Sequence, residues 1–254
     1  MQITWAMGLA ASIAVVGTVT NRASAADAST EKTNANGKVE ARDTHQTESS
    51  RAPVEARKPP GRRLITISGN RTTLDVRQWP LLGRPEAKYV FVEMFDYTCP
   101  HCQATHHSIK GAMERYGDEL AIIVLPVPLD GNCNSAAAES NSFHTDACEI
   151  TRISIAVWRV QPKRFPHFHS WLFQSRRSAA EARSYAAQLV GAKALQDELA
   201  QPWAAKYIAK NVELYRRAGA GSVPKLLFPK STLVGEVGST ATLCDIIQRE
   251  LGPH

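Results

Sequence analysis

Residues 89–102 read YVFVEMFDYTCPHC, and this stretch decides the fold. Tyr89 to Phe95 is an apolar run of seven residues interrupted only by Glu93. A run this short and this continuous suits a central strand covered on both faces. Asp96-Tyr97-Thr98 then leads into Cys99-Pro100-His101-Cys102, which opens a helical stretch to about Tyr116, with Gly117 as its stop. Glu119 to Pro126 (ELAIIVLP) reads as a second buried strand. Strand, helix, strand in that order predicts a right-handed parallel unit.

Working outward, Leu64–Ile67 and Thr72–Val76 flank Ser-Gly-Asn-Arg as a hairpin, and Trp79–Gly83 reads as a connector. Residues 133–218 read as a mostly helical block, with helices at Ala147–Val160, Pro166–Gln174, a third opened by the capping box Ser178-x-x-Glu181, Ala194–Leu199 and Pro202–Arg217. A second hairpin follows (Lys225–Phe228, Leu233–Val237), then a last helix, Leu243–Leu251, capped by Thr240. The fold class is α/β, a mixed sheet over residues 64–254 with a helical subdomain inserted at about 133–218. Upstream of residue 64, residues 26–63 hold Val39 and Val54 as their only sizeable aliphatics and no aromatic residue. Such a stretch buries too little apolar surface to offset its ordering entropy and reads as a disordered linker. Residues 1–25 carry an uncharged apolar run from Ile3 to Thr20, then Ala23-Ser24-Ala25, an A-x-A-like cleavage site. No Lys or Arg precedes the run, so a cleaved signal peptide and an uncleaved membrane anchor both stay open. Either places the domain in the periplasm or elsewhere outside the cytoplasm.

The chain has 254 residues, 43% of them hydrophobic, enough for one good-sized core. Its formal net charge of +6 is spread without a block of five like charges, so no nucleic-acid footprint is present. Five cysteines in an exported chain suggest two pairs and one left over.

Cys99 and Cys102 stand i, i+3 at a helix start, which puts both sulfurs on one face and within bridging reach. Pro100 fits the first turn, where its missing N–H costs nothing. Cys99 faces free backbone N–H groups and the positive end of the helix dipole, which stabilise a thiolate, and a cationic His101 adds to this. A stabilised thiolate makes the pair an easily reduced, oxidising disulfide. Half a zinc site and an inert disulfide are the other readings of Cys-x-x-Cys, but zinc needs a second pair at close spacing. Cys102 with His106 at i, i+4 also allows a copper-binding protein on the same scaffold, against the plainer reading of His106 and His107 as solvated helix residues. His144, His167 and His169 are not placed by the sequence. Trp158, Trp171, Trp203, Phe165 and Phe168 read as core of the helical block. Cys244, beside Leu243, Ile246 and Ile247, reads as a buried inert thiol, with intermolecular pairing as the alternative.

Phe95-x-x-x-Cys99-Pro100-His101-Cys102 between strand and helix resembles the thioredoxin superfamily, and within it the DsbA family, whose thioredoxin fold carries a helical insertion. The resemblance spans about residues 64–254. It implies catalysis by Cys99 and Cys102 with Pro100 and His101 between them, no cofactor beyond the redox-active disulfide, and a proton-relaying acid at Glu93. It implies a cis-proline at Val223-Pro224 that leaves Val223 to bind an extended substrate, where the plainer reading is a trans proline opening an edge strand. Thr98 could cap the helix. The surroundings of Cys133 and Cys148 resemble the thioredoxin-like domains associated with vitamin K epoxide reductase-type oxidases, which carry a second pair here; a structural disulfide, an electron relay and unpaired thiols are the readings. The implied activity is a dithiol oxidase acting on cysteine-containing exported polypeptides, reoxidised by a membrane partner of DsbB or vitamin K epoxide reductase type. A reductase or an isomerase would use the same residues.

Overall fold

In a computed structural model that describes residues 61–69, 71–137 and 142–252, the two apolar runs are the two innermost strands. Strands β1 (Leu64–Ile67) and β2 (Thr72–Asp75) form the first hairpin. A five-stranded sheet then contains β3 (Leu81–Leu82), β4 (Tyr89–Phe95), β5 (Leu120–Pro126), β6 (Lys225–Leu227) and β7 (Thr232–Val234), in the order β3-β5-β4-β6-β7. Every residue of β4 and β5 is buried, as their unbroken hydrophobicity requires. These two strands run parallel, Tyr89 opposite Leu120 through Phe95 opposite Pro126, joined by α1 (Pro100–Tyr116). The other pairings are antiparallel.

Five helices lie between β5 and β6: α2 (Ala147–Val160), α3 (Phe165–Gln174), α4 (Ala179–Val190), α5 (Ala192–Leu199) and α6 (Trp203–Arg217). The Ser178–Glu181 capping box forms in both directions at the start of α4. The chain closes with α7 (Thr240–Leu251) alongside α1. That contact is close enough to need glycine: a Cβ on Gly111 would lie 2.2 Å from Thr240 Oγ1. The described residues all belong to the unit Arg57–His254. Among them no helix is long and apolar enough to cross a membrane. The signal or anchor at 1–25 and the linker at 26–63, up to residue 60, lie outside the described residues.

Four expectations change. Leu81–Leu82 is an edge strand, not a connector, because Pro80 C=O accepts from Val124 N–H and brings Leu81 opposite Ile123. The helical block begins at Ala147 rather than 133; residues 133–137 and 142–146 are turns. The last helix is capped by Ser239, whose extended backbone lets its hydroxyl accept from Thr242 N–H, so Thr240 is already inside the helix. Trp203 stays 41% exposed, its ring flanked by the Arg159 guanidinium and the Lys206 ammonium instead of core side chains. Cys133 and Cys148 are bridged, with Cα atoms 6.0 Å apart at a sequence separation of 15. Cys244 is a free, buried thiol.

The 133–148 bridge ties the turn after β5 to the first residues of α2. In the chain-entropy description, closing a loop of this length contributes about 3 kcal/mol. Replacing both cysteines with alanine is expected to lower the melting temperature by roughly 6–12 °C in a domain of this size, measured by calorimetry under oxidising conditions.

Candidate active site

Strand β4 delivers Cys99 to the C-terminal edge of the sheet, and α1 begins at the next residue. Pro100 occupies the first helical position and Cys99 is the cap residue, in extended conformation with no side-chain cap. The expectation that Thr98 caps this helix fails. Its hydroxyl instead meets Asp96 Oδ1 at 2.5 Å and His144 Nδ1 at 2.6 Å. Asp96, the residue after β4, is fully buried. Its carboxylate accepts from the backbone N–H of Thr98 and of Leu129, its carbonyl accepts from Cys99 N–H, and its own N–H points to Cys102 Sγ at 3.4 Å. Burial pushes the Asp96 carboxyl up, and these donors act against it.

The two thiols sit in opposite electrostatic surroundings. A hydrogen bond from the Cys102 thiol, followed by the backbone N–H groups of Cys102 and His101, outweighs partial burial and brings Cys99 down to about 6. Cys102 is pushed well up, first by burial and then by the Cys99 thiolate beside it. Cys99 is only 6% exposed, less open than a freely accessible nucleophile, and its approach runs through a groove of about 800 Å³. The groove is lined by Cys99, Pro100 and His101 from the start of α1, by Leu129, Phe143 and His144, and by Gly221, Ser222, Val223, Gly235 and Glu236. The Val223–Pro224 peptide is cis, and the Val223 carbonyl lies 4.0 Å from Cys99 Sγ.

Glu93 is wholly buried in the middle of β4. Neither carboxylate oxygen has a hydrogen-bond partner among the described residues, and burial raises the group to about 8. At neutral pH it is therefore mostly a carboxylic acid; where it ionises, its charge adds to the rise at Cys102. His101 meets Glu236 through its Nδ1 at 2.7 Å, which raises His101 above its ordinary value. Sequence reasoning missed Glu236 because no motif or spacing connects it to Cys99; the sheet alone brings it there. It also missed Asp96 and His144. A carboxylate directly after a buried strand was the available signal for Asp96.

The solvated reading of His106 is wrong. His106 is 3% exposed and stacks on Phe173 with centroids 4.6 Å apart; burial lowers it to about 4. His107 is exposed. His169 is also buried, against Tyr97, whose hydroxyl meets His169 Nδ1 at 2.9 Å and Ser154 Oγ at 2.7 Å. These rings pack behind the Cys-x-x-Cys helix start with Phe95. Among the described residues no three His, Cys, Asp or Glu side chains come together as metal ligands.

The sequence pattern of the thioredoxin family matches residues 76–237. No curated protein matches the chain in sequence. Three solved structures share its fold. A periplasmic thioredoxin-like protein from Salmonella enterica serovar Typhimurium is 23% identical, with a TM-score of 0.54 over 68% of this chain and 90% of that one. The thiol–disulfide exchange protein α-DsbA2 from Wolbachia pipientis is 17% identical, with a TM-score of 0.55 over 68% of this chain and 87% of that one. Oxidised BdbD from Bacillus subtilis is 17% identical, with a TM-score of 0.56 over 70% of this chain and 96% of that one. The mixed sheet with its helical insertion is thus a thioredoxin-like arrangement of the kind seen in these structures.

In the reduced protein, iodoacetamide alkylation followed by mass mapping should label Cys99 with a midpoint near pH 6 and leave Cys102 unlabelled. Because folding depresses the Cys99 value from 9.0 to about 6, the stabilisation is complete above pH 9 and is lost as pH falls through 6. The reduced form should therefore gain stability relative to the oxidised form between those limits. Glu93 shifts the other way, from 4.5 to about 8, so its buried charge costs stability increasingly across that interval. E93Q should melt several degrees higher than the parent at pH 8 and at the same temperature near pH 4.5.

Proposed function

Because the chain belongs to the thioredoxin family, we propose that it is a thiol–disulfide oxidoreductase working as a dithiol oxidase on exported polypeptides. One observation carries this reading. Cys99 is held as a thiolate at the floor of an open groove, while its partner Cys102 is sealed in the core as a thiol. A pair whose reduced form is stabilised in this way gives up its disulfide readily and oxidises others.

The exchange starts from the Cys99–Cys102 disulfide. A substrate thiolate attacks Cys99 Sγ, the only sulfur of the pair that lines the groove. The bond to Cys102 breaks and Cys102 leaves as a thiolate into a buried site, where it must take up a proton. Glu93, protonated at neutral pH, is the acid that supplies it and later takes it back. A second substrate thiolate attacks the substrate's own sulfur, and Cys99 departs as the stabilised thiolate. The Cys99 value near 6 makes this last departure fast, since a low-pKa thiol is the better leaving group. The cis peptide at Val223–Pro224 aims the Val223 backbone along the groove, where an extended substrate segment can pair with it. His101 with Glu236 adds a hydrogen-bonded pair at the rim, which favours the protonated imidazole.

Export, suggested by residues 1–25, places the substrates outside the cytoplasm. Their oxidation requires a membrane reoxidant of DsbB or vitamin K epoxide reductase type to restore the disulfide. The Cys133–Cys148 bridge serves as a structural staple.

Equilibration with glutathione buffers, read by alkylation of the 99–102 pair, tests the direction of flow. The pair is expected to be far more oxidising than thioredoxin, whose potential lies at about −270 mV; a value close to that would leave a reductase.

A further inference from the structure

We propose that His144 is a further catalytic residue of this centre, the proton acceptor for the substrate thiol that attacks Cys99. The inference deepens the dithiol-oxidase reading and rests on it. Three observations meet at this side chain. First, His144 lines the same groove as Cys99 and Val223. Second, its Nδ1 lies 2.6 Å from Thr98 Oγ1, whose hydroxyl lies 2.5 Å from the buried Asp96 carboxylate. Third, the described residues next to it are held in place. Cys148, four residues on, is bridged to Cys133; Ala147 N–H donates to the His144 carbonyl at 2.9 Å; and Arg176 places its guanidinium on the neighbouring Phe143 ring and donates to the Phe143 carbonyl.

The proton inventory sets the tautomer. The Asp96 carboxylate is acceptor-only, and it already accepts the Thr98 and Leu129 backbone N–H groups. The single hydroxyl proton of Thr98 therefore goes to Asp96 Oδ1, and Thr98 Oγ1 accepts from His144 Nδ1–H. In the tautomer that this bonding selects, Nε2 carries the lone pair. No protein group among the described residues bonds to Nε2. Asp96 lies behind His144 through Thr98; His101 and Glu236 line the same groove, paired with each other, and Arg176 lies on the Phe143 ring. A buried acid, an orienting hydroxyl and a groove-lining histidine in series are the arrangement from which a general base is built.

Free cysteine has an ordinary value of about 8.5, so near pH 6 only about 0.3% of a substrate thiol is ionised. In the proposed step the substrate sulfur attacks Cys99 Sγ and its S–H proton passes to His144 Nε2. The substrate–Cys99 bond forms, the Cys99–Cys102 bond breaks, and Cys102 leaves with the electron pair and takes the proton of Glu93. The substrate sulfur is oxidised and Cys102 is reduced. The His144 imidazolium then releases its proton to water in the groove.

The test is stopped-flow oxidation of a dithiol peptide by the full-length disulfide form, across pH 6 to 9, in the parent, H144N and T98V. Asparagine keeps a donor toward Thr98 and lacks the Nε2 base; valine leaves His144 in place and removes its tether. Both variants should be slower by roughly tenfold near pH 6, with the deficit closing toward pH 9 as the peptide ionises unaided. An aromatic thiol that is already ionised near pH 7 should react equally with parent and H144N, and the glutathione equilibrium of the 99–102 pair should be unmoved. A rate for H144N equal to the parent near pH 6, or a deficit of the same size at every pH and with the ionised thiol, overturns the role of His144 alone. A parent protein that leaves the peptide reduced overturns the oxidoreductase reading, and this assignment with it.

Discussion

A buried carboxylate ties together three parts of this molecule at the point where the central strand ends. Asp96 sits where β4 ends. Its carboxylate gathers backbone donors from Thr98 and from Leu129, its carbonyl holds the Cys99 N–H, and its own N–H reaches the Cys102 sulfur. The end of the central strand, the first turn of α1 and the segment leaving β5 are thus referenced to one side chain. Removing a carboxylate in that position would strand several buried donors at once, each costing on the order of 1–3 kcal/mol. The geometry of the two sulfurs depends on this anchoring more than on the helix itself, since Cys99 has no side-chain cap to hold it.

Around that anchor the site separates two chemically identical groups. Cys99 and Cys102 are one helical turn apart, yet one is stabilised as an anion and the other as a neutral thiol. The separation has a simple origin. The helix N-terminus offers N–H groups to the residue before it, while the next turn is already pressed into the core. Glu93, unpaired and wholly buried one strand position below, stays protonated for the same reason that Cys102 does: charge there has no water and no partner. Burial acts on all three groups, and Cys99 goes the other way because the Cys102 thiol and then the backbone N–H groups of Cys102 and His101 donate to it.

Much of this was legible in the sequence. The two seven-residue strands, the helix stop at Gly117, the capping box at Ser178 and the boundaries of α2 follow from local patterns that tertiary structure did not override. Local pattern failed where a distant partner decides. Leu81–Leu82 becomes a strand because β5 pairs with it, and His106 is buried because Phe173, from another helix, covers it. Cys99, Cys102 and Glu93 could be named in advance because one contiguous stretch contains them. Glu236 and His144 could not: one reaches the groove through sheet order, the other through a loop drawn in by Thr98.

The insertion of five helices between β5 and β6 also has a consequence in time. His101 and Glu236, which meet in a hydrogen bond beside Cys99, are 135 residues apart in the chain. Strand β6, which brings Val223–Pro224 to the thiols, pairs with β4 only after the whole helical block has emerged from the ribosome. Contacts so distant in sequence form late, because loop-closure entropy must be met first. Until then Cys99 and Cys102 sit on an unfinished sheet without their groove, open to pairing with Cys133 or Cys148. The order in which the cysteines leave the channel thus becomes part of how this chain reaches its correct bonding pattern.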